Sequence, residues 1–388
     1  MTELVDLLVV GGGPAALATA RAYRGAGGSG TVTLVAAENR LPYRRPPLTK
    51  ELLRGELSPE ELPIEREDYY TEHEVRVLRG ARATALDPER RTVTVEGYGE
   101  LGYATCVLAT GSIPARPAVP GAEDPGLHVV REVGHALALQ RHGPRVAVVG
   151  SGFIGCEAAA SLAMRGAAVT LISLECVPQV ERLGDEVGAR LAAWLAEHGV
   201  ALELGVELDA LERREDGWAV LLAGEREVGA DTVLLATGVR PATDLAEAAG
   251  MPFDKGAVAC DERLATPVDG LFAAGDVACA RNAAAGRSLR VEHWGEALTH
   301  GEVAGRAIAG AAAAWDNAPG FWSTIGRRTL KQVAWGDGWD AVDVVDHPGG
   351  GWTAWYACEG RCVGVLCHEA DDDYERGREL VESGAPIP

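Results

Sequence analysis

Two glycine-rich segments, Gly11-Gly12-Gly13-Pro14-Ala15-Ala16 and Gly150-Ser151-Gly152-Phe153-Ile154-Gly155, carry the G-x-G-x-x-G/A spacing that brings backbone against a pyrophosphate. In each, the first glycine lets a strand turn sharply and the second lets the chain approach the phosphates. The third position needs a small residue where helix meets strand. A phosphate then rests on a helix N-terminus, where free N–H groups and the helix dipole favour negative charge. One such site would hold one dinucleotide; two in one chain imply electron transfer between dinucleotides.

These segments need a buried strand before them and a helix after them. The apolar runs 7–10 and 146–149 read as parallel strands, and 15–23 and 156–165 read as helices. Each half closes on a near-copy of the other's last motif: Leu108-Ala109-Thr110-Gly111-Ser112-Ile113-Pro114-Ala115 and Leu235-Ala236-Thr237-Gly238-Val239-Arg240-Pro241-Ala242. A glycine turn followed by a proline that prevents a helix suits a crossover between domains. Beyond the return come Leu271-Phe-Ala-Ala-Gly275-Asp276, then Glu292-His293-Trp294, then an alanine-rich helix over about 297–314. From 319 onward tryptophans and β-formers alternate with glycine turns, which predicts a small antiparallel sheet. The acidic run 371–373 opens a closing helix through 382.

The expected fold class is α/β: two Rossmann-like nucleotide-binding domains plus a small C-terminal α+β domain. The first nucleotide domain is discontinuous, 1–110 and 240–316; the second is 111–239; the C-terminal domain is 317–388.

A chain of 388 residues with 47% hydrophobic residues and a net charge of −21 describes a multi-domain globular protein. That charge argues against nucleic acid or an anionic membrane as partner. No apolar stretch approaches the roughly 18 residues a membrane span needs. The N-terminal apolar run is short and flanked by acidic residues, so it reads as a first strand and not a signal peptide. Eight scattered cysteines lack metal-ligand spacing and read as buried thiols in a reducing cytoplasm; no metal site is expected.

Taken together, the fingerprints, Leu41-Pro42-Tyr43-Arg44-Arg45-Pro46-Pro47-Leu48-Thr49-Lys50, Gly152-Phe153-Ile154-Gly155-Cys156-Glu157, Ala274-Gly275-Asp276 and Val291-Glu292-His293-Trp294 resemble the FAD-dependent pyridine nucleotide–disulfide reductase superfamily. Within it the pattern is most similar to the ferredoxin reductases of oxygenase systems, of the putidaredoxin, rhodocoxin and biphenyl dioxygenase reductase type, with apoptosis-inducing-factor-like proteins nearby.

The resemblance implies that FAD occupies the first fingerprint, through Gly11, Gly13, Pro14 and Ala16, with the turn Ala109-Thr110-Gly111. Glu38, at the end of the second strand, is placed to accept from the adenosine ribose hydroxyls; an exposed loop carboxylate is the competing reading. Asp276, after Gly275, matches the flavin-binding aspartate of the family. Arg45 and Arg131 match its pyrophosphate and flavin contacts, against the alternative of solvated surface charges. His293 and Trp294 are expected to line the flavin pocket, with a packed core aromatic as the rival. Lys50 and Glu157 match a pair that lies near flavin and nicotinamide, where buried charges require pairing and the lysine stabilises negative charge; a purely structural salt bridge is the plainer alternative.

By the same resemblance the second fingerprint takes NADH, through Gly150, Gly152, Phe153, Ile154, Gly155, Glu157 and the turn at Gly238. Ser173 stands where many relatives carry an acidic residue, and Glu175 is the carboxylate available to a ribose 2′-hydroxyl. No arginine lies between 166 and 181, which favours NADH over NADPH.

Disulfide reductases of this superfamily need a cysteine in the segment occupied here by 41–50, and there is none. Reduced FAD must then pass its electrons on directly, which suits a [2Fe–2S] ferredoxin. Trp322 is expected at the flavin's dimethylbenzene edge, although Ser323-Thr324-Ile325 departs from the Ser-Asp-Gln of relatives. Arg327, Arg328 and Lys331 form a basic cluster on which an acidic ferredoxin docks; a solvated strand edge is the alternative. The expected activity is an NADH:ferredoxin reductase feeding a cytochrome P450 or Rieske oxygenase. An NAD(P)H oxidase or quinone reductase without a protein partner, and a redox-sensing interaction protein resembling apoptosis-inducing factor, stand as alternatives. Oligomeric state stays open between monomer and homodimer.

Overall fold

A computed structural model describes residues 3–388, which divide into two compact units. Unit 1 comprises residues up to Arg44, Pro63–Ile113 and Pro241–Phe321; unit 2 comprises Arg45–Leu62, Pro114–Arg240 and Trp322–Pro388. Both centre on parallel sheets, the α/β class expected.

In unit 1 the parallel strands run in the order Val75–Arg79, Val32–Ala36, Glu3–Val10, Gly99–Leu108, and Leu271–Ala273 pairs alongside Gly99–Leu108. Thr92–Val95 and Ala83–Asp87 extend the sheet antiparallel. Val32–Ala36 is buried at every residue, as a strand covered on both faces must be. A second sheet holds Phe253–Asp254, Ala257–Cys260, Ala278–Asn282 and Arg287–Arg290. The helix Pro14–Gly25 packs on the helix Trp294–Ile308 through glycines. A Cβ on Gly301 would lie 2.3 Å from the Ala15 carbonyl oxygen, and one on Gly305 2.3 Å from that of Thr19, so the backbones touch only because both are glycine.

The second helix ends at Ile308, six residues short of the expected 314. Alanine content favours a longer helix, but Gly310 adopts a left-handed φ of +82° and turns the chain away.

In unit 2 four parallel strands run Ala201–Leu204, Ala168–Ser173, Arg145–Val149, Thr232–Leu235. A three-stranded antiparallel sheet, Leu208–Arg214, Gly217–Leu222 and Arg226–Ala230, shares their core through Val149, Ile172, Trp218, Val220, Val233 and Leu235. The expected C-terminal sheet is present, ordered Gly320–Ile325, Arg328–Ala334, Arg361–His368, Trp352–Cys358, Ala341–Asp346. The closing helix Asp371–Ser383 packs on it, with Gly377 against Val365.

The paired closing motifs exchange hydrogen bonds reciprocally. Within unit 1, Thr110 Oγ donates to the Ala242 carbonyl at 2.8 Å and the Ala242 N–H donates to the Gly111 carbonyl at 2.8 Å. Within unit 2, Thr237 Oγ donates to the Ala115 carbonyl at 2.9 Å and the Ala115 N–H donates to the Gly238 carbonyl at 2.9 Å. The Thr-Gly-x-x-Pro-Ala repeat thus supplies both halves of each crossover.

All eight cysteines are free. Six are buried as expected; Cys176 is exposed and Cys358 half-buried, because they sit in a loop and at a strand end.

Candidate active site

The first fingerprint begins where the strand Glu3–Val10 stops. Gly11 has φ +154°, and a Cβ there would lie 2.1 Å from the Ala109 carbonyl oxygen of the neighbouring strand, so only glycine fits. Gly13 caps the helix Pro14–Gly25 with no side-chain hydrogen bond, Pro14 takes a first-turn place that needs no donor, and Ala16 is fully buried in the helix–strand contact. A Cβ on Gly13 would meet no protein atom within 4 Å. Uncapped N–H groups facing open space, with no acidic residue in the first turn, suit a bound pyrophosphate.

The second fingerprint repeats these features. A Cβ on Gly150 (φ +107°) would lie 2.3 Å from the Ala236 carbonyl oxygen, and one on Gly155 2.0 Å from that of Gly150. Gly152 again caps without a side chain and again faces open space. The helix begins at Phe153, three residues before the expected start, and Ile154 is exposed on its first turn.

Unit 1 carries Glu38, Gly111, Gly275, Asp276, His293 and Trp294. Two of these are oriented by residues that sequence reasoning missed. Tyr43 Oη donates to Glu38 Oε2 at 2.7 Å, and Ser112 Oγ donates to Asp276 Oδ2 at 2.6 Å. Each partner lies inside a motif already singled out, Leu-Pro-Tyr and Thr-Gly-Ser, and the hydroxyl was the available signal. The Gly275 N–H donates to His300 Nδ1 at 3.3 Å, so His300 is a third such residue. The ring of this fully buried histidine stands edge-on to Trp315, and burial lowers its pKa to about 4. The His293 ring packs on Phe321, centroids 4.6 Å apart, and Trp294 opens its helix half-buried.

Unit 2 carries Arg45, Lys50, Arg131, Glu157 and Trp322 together with the second fingerprint. Arg45 donates to the Arg131 backbone carbonyl, which joins the two arginine positions. Lys50 and Glu157 form a buried ion pair of 2.7 Å. Glu157 Oε2 also accepts from Thr49 Oγ at 2.5 Å, while Oε1 accepts from Ser323 Oγ at 2.7 Å and from the Thr324 N–H at 3.3 Å. Four donors meet one buried carboxylate, which is the condition for keeping it charged away from water. Trp322, one residue before this contact, is 45% exposed.

At the end of the strand Ala168–Ser173, Ser173 is buried and Glu175 half-buried. Ser151 Oγ donates to Glu175 Oε2 at 2.8 Å. The turn at Gly238 has φ +97°. The basic cluster is less positive than its sequence suggests. Arg328 pairs with Glu197 at 2.6 Å and lies over the Trp194 ring, Lys331 pairs with Asp371 at 2.7 Å, and Arg327 alone is exposed without an ion pair among the described residues.

The profile of the family described as pyridine nucleotide-disulphide oxidoreductase matches residues 5–301. The chain belongs to this family. It is therefore an oxidoreductase, and curated relatives match it along nearly its whole length. It is 32% identical to the 5,5'-dehydrodivanillate O-demethylase ferredoxin reductase subunit of Sphingobium, covering 98% of this chain and 94% of that one. It is 30% identical to the benzene 1,2-dioxygenase system ferredoxin–NAD(+) reductase subunit of Pseudomonas putida, over 97% and 92%. Among solved structures, the covalent putidaredoxin reductase–putidaredoxin complex superposes with a TM-score of 0.91 at 26% identity, over 99% of this chain and 94% of that one. Among the described residues no helix is long and apolar enough to cross a membrane, and no group of three or more His, Cys, Asp or Glu side chains is disposed to hold a metal.

Proposed function

We infer that this chain is an FAD-dependent NADH:ferredoxin reductase of the cytoplasm. It passes electrons one at a time to a [2Fe–2S] ferredoxin that serves an oxygenase. The observation that carries this reading is the buried Lys50–Glu157 pair, whose lysine closes the segment 41–50, which has no cysteine. A thiol relay to a disulfide has no residue to run on there. Relatives named as ferredoxin reductases of oxygenase systems support the acceptor.

The geometry supports the following roles. In unit 1, Gly11, Gly13 and Ala16 leave the room and the free N–H groups that the FAD pyrophosphate needs. Glu38, held by Tyr43, accepts from the adenosine ribose, and Asp276, held by Ser112, accepts from the ribityl chain. His293 and Trp294 line the flavin site; Arg45 and Arg131, in unit 2, match the family's pyrophosphate and flavin contacts. FAD, when bound, accepts a hydride from NADH and releases single electrons. Lys50 places a fixed positive charge, and Glu157, held by its three other donors, keeps that ammonium in position. Trp322 offers an exposed aromatic face.

We assign 1–110 with 240–316 to FAD and 111–239 to NADH, with 317–388 as a third part that supplies Trp322 and Ser323. Ferredoxin docks at Arg327, with Arg328 and Lys331 exchanging their exposed acidic partners for those of the incoming protein. Exposed pairs of this kind are worth about 0–1 kcal/mol, so exchange is cheap.

The test is NADH-driven cytochrome c reduction by the purified flavoprotein, with and without an added [2Fe–2S] ferredoxin, repeated with NADPH. A large, salt-sensitive increase with ferredoxin is expected. Fast turnover with oxygen or quinones and no response to several ferredoxins would replace this reading with an oxidase. Slow turnover with every acceptor would point to a redox sensor.

A further inference from the structure

The end of the strand Ala168–Ser173 holds one carboxylate, and the protein fixes it from two sides. The Oγ of Ser151, the second residue of the second fingerprint and 2% exposed, lies 2.7 Å from Ser173 Oγ and 2.8 Å from Glu175 Oε2. A hydroxyl has one proton to give. Ser151 must donate to the carboxylate, so it accepts from Ser173, and Ser173 in turn accepts the Glu175 N–H at 3.2 Å. From the other side, the Gln179 N–H donates to the same Oε2 at 2.9 Å. Oε2 is thereby filled, while Glu175 Oε1 takes no hydrogen bond among the described residues.

Gln179 adds a second observation at the same carboxylate. Its side chain is 95% buried, since only 5% is exposed, and its amide nitrogen has no hydrogen-bond partner. Its backbone is left-handed, at φ +59°. A buried amide donor left unmade costs about 1–3 kcal/mol, and a non-glycine residue in this conformation adds strain. Both persist in the residue whose own N–H holds that carboxylate. The arginine next along the chain, Arg182, lies over the Phe153 ring at 5.6 Å.

We propose that Ser151 is a specificity-determining position for the pyridine nucleotide: together with the Gln179 backbone N–H it clamps Glu175 so that its open oxygen accepts the adenosine ribose 2′-hydroxyl and its charge repels a 2′-phosphate. This rests on the assignment of the second fingerprint to NADH and adds the residue that sets the choice. Selectivity is therefore coupled to the fingerprint itself, through a serine at its variable second position.

The experiment is calorimetric titration of the oxidised holoenzyme with NAD+, NADP+, ADP-ribose and 2′-phospho-ADP-ribose. The proteins are wild type, Ser151→Ala, Glu175→Gln and the double variant Ser151→Ala/Glu175→Gln. Wild type is expected to favour NAD+ over NADP+. Ser151→Ala should weaken NAD+ and ADP-ribose about five- to tenfold, the loss of one charge-assisted hydrogen bond, and leave NADP+ nearly unchanged. The double variant should bind NAD+ no more weakly than Glu175→Gln alone, because both changes act through one carboxylate. Additive losses, or a Ser151→Ala protein with the wild-type NAD+/NADP+ ratio, would overturn the proposal. A wild type that prefers NADP+ would instead overturn the NADH assignment, and the clamp with it. Retained flavin absorbance and melting temperature show that each variant is folded; Ser151→Gly removes the same hydroxyl should alanine disturb the turn.

Discussion

Ser323 donates a hydrogen bond to Glu157 Oε1 at 2.7 Å, on the oxygen opposite the one that takes Lys50. All three side chains are buried, so the carboxylate is shared between the second fingerprint helix, the Pro-Pro-Leu-Thr-Lys segment and the C-terminal sheet. Removing one partner of such a pair strands a charge. Lys50→Met should destabilise the protein by about 3–5 kcal/mol, and Lys50→Met/Glu157→Gln should recover much of that loss. Ser323→Ala should cost about 2 kcal/mol, one hydrogen bond to a charged group. Urea denaturation of the four proteins checks this. A Lys50→Met variant as stable as wild type would show that the pair is solvated.

The glycines of the first fingerprint predict two different failures. At Gly11 a methyl group would strike the Ala109 backbone at 2.1 Å, and at Gly13 it would meet nothing of the protein. Gly11→Ala should therefore lower the stability of the flavin-free protein by about 3 kcal/mol or more. Gly13→Ala should leave that stability unchanged and lose FAD, because the methyl takes the space of the pyrophosphate. Thermal melts of flavin-stripped protein, beside flavin content after purification, separate the two.

Motifs of adjacent residues were legible from the chain alone: both fingerprints and the repeated Thr-Gly-x-x-Pro-Ala turns; the pairing of Lys50 with Glu157, 107 residues apart, came only from the family resemblance. Side chains that orient those groups across distance were not. Ser323 is 166 residues from Glu157, and nothing in the spacing announces their contact. Ser112 and Asp276 are separated by 164 residues. Shorter separations also escaped where the informative group was a plain hydroxyl, as with Tyr43 on Glu38 and Ser151 on Glu175. The basic cluster misled for a related reason. Glu197 and Asp371, which neutralise two of its charges, come from helices distant in sequence from the strand that bears Arg328 and Lys331.

His300 makes stability depend on acidity. Its Nδ1 accepts the Gly275 N–H, its ring faces Trp315, and burial lowers its pKa from the ordinary 6.5 to about 4. Above pH 6.5 the ring is neutral whether the chain is folded or not, and the full stability is present. As pH falls toward 4 the unfolded chain gains a proton that the folded one refuses. Stability should therefore drop by about 3 kcal/mol across that window, on top of any carboxylate effects. His300→Gln should flatten this part of the profile. Denaturant midpoints at half-unit pH steps give the comparison, and parallel profiles for the two proteins would exclude His300 as the cause.

Arg327 is the remaining test of the docking surface. It is exposed beside two cations whose charges are met by Glu197 and Asp371, so it contributes most to the local field that an acidic ferredoxin senses. A rim charge acts chiefly on encounter. Arg327→Glu should raise the KM for ferredoxin about five- to tenfold and flatten its salt dependence, with little change in kcat. Arg328→Glu should do more harm to the fold than to docking, because it sets two carboxylates together with Glu197 and removes the cation from the Trp194 ring. Steady-state ferredoxin reduction at low and high salt, referenced to NADH–ferricyanide turnover, reads both effects. If Arg327→Glu leaves the ferredoxin KM and its salt slope unchanged, the partner docks elsewhere.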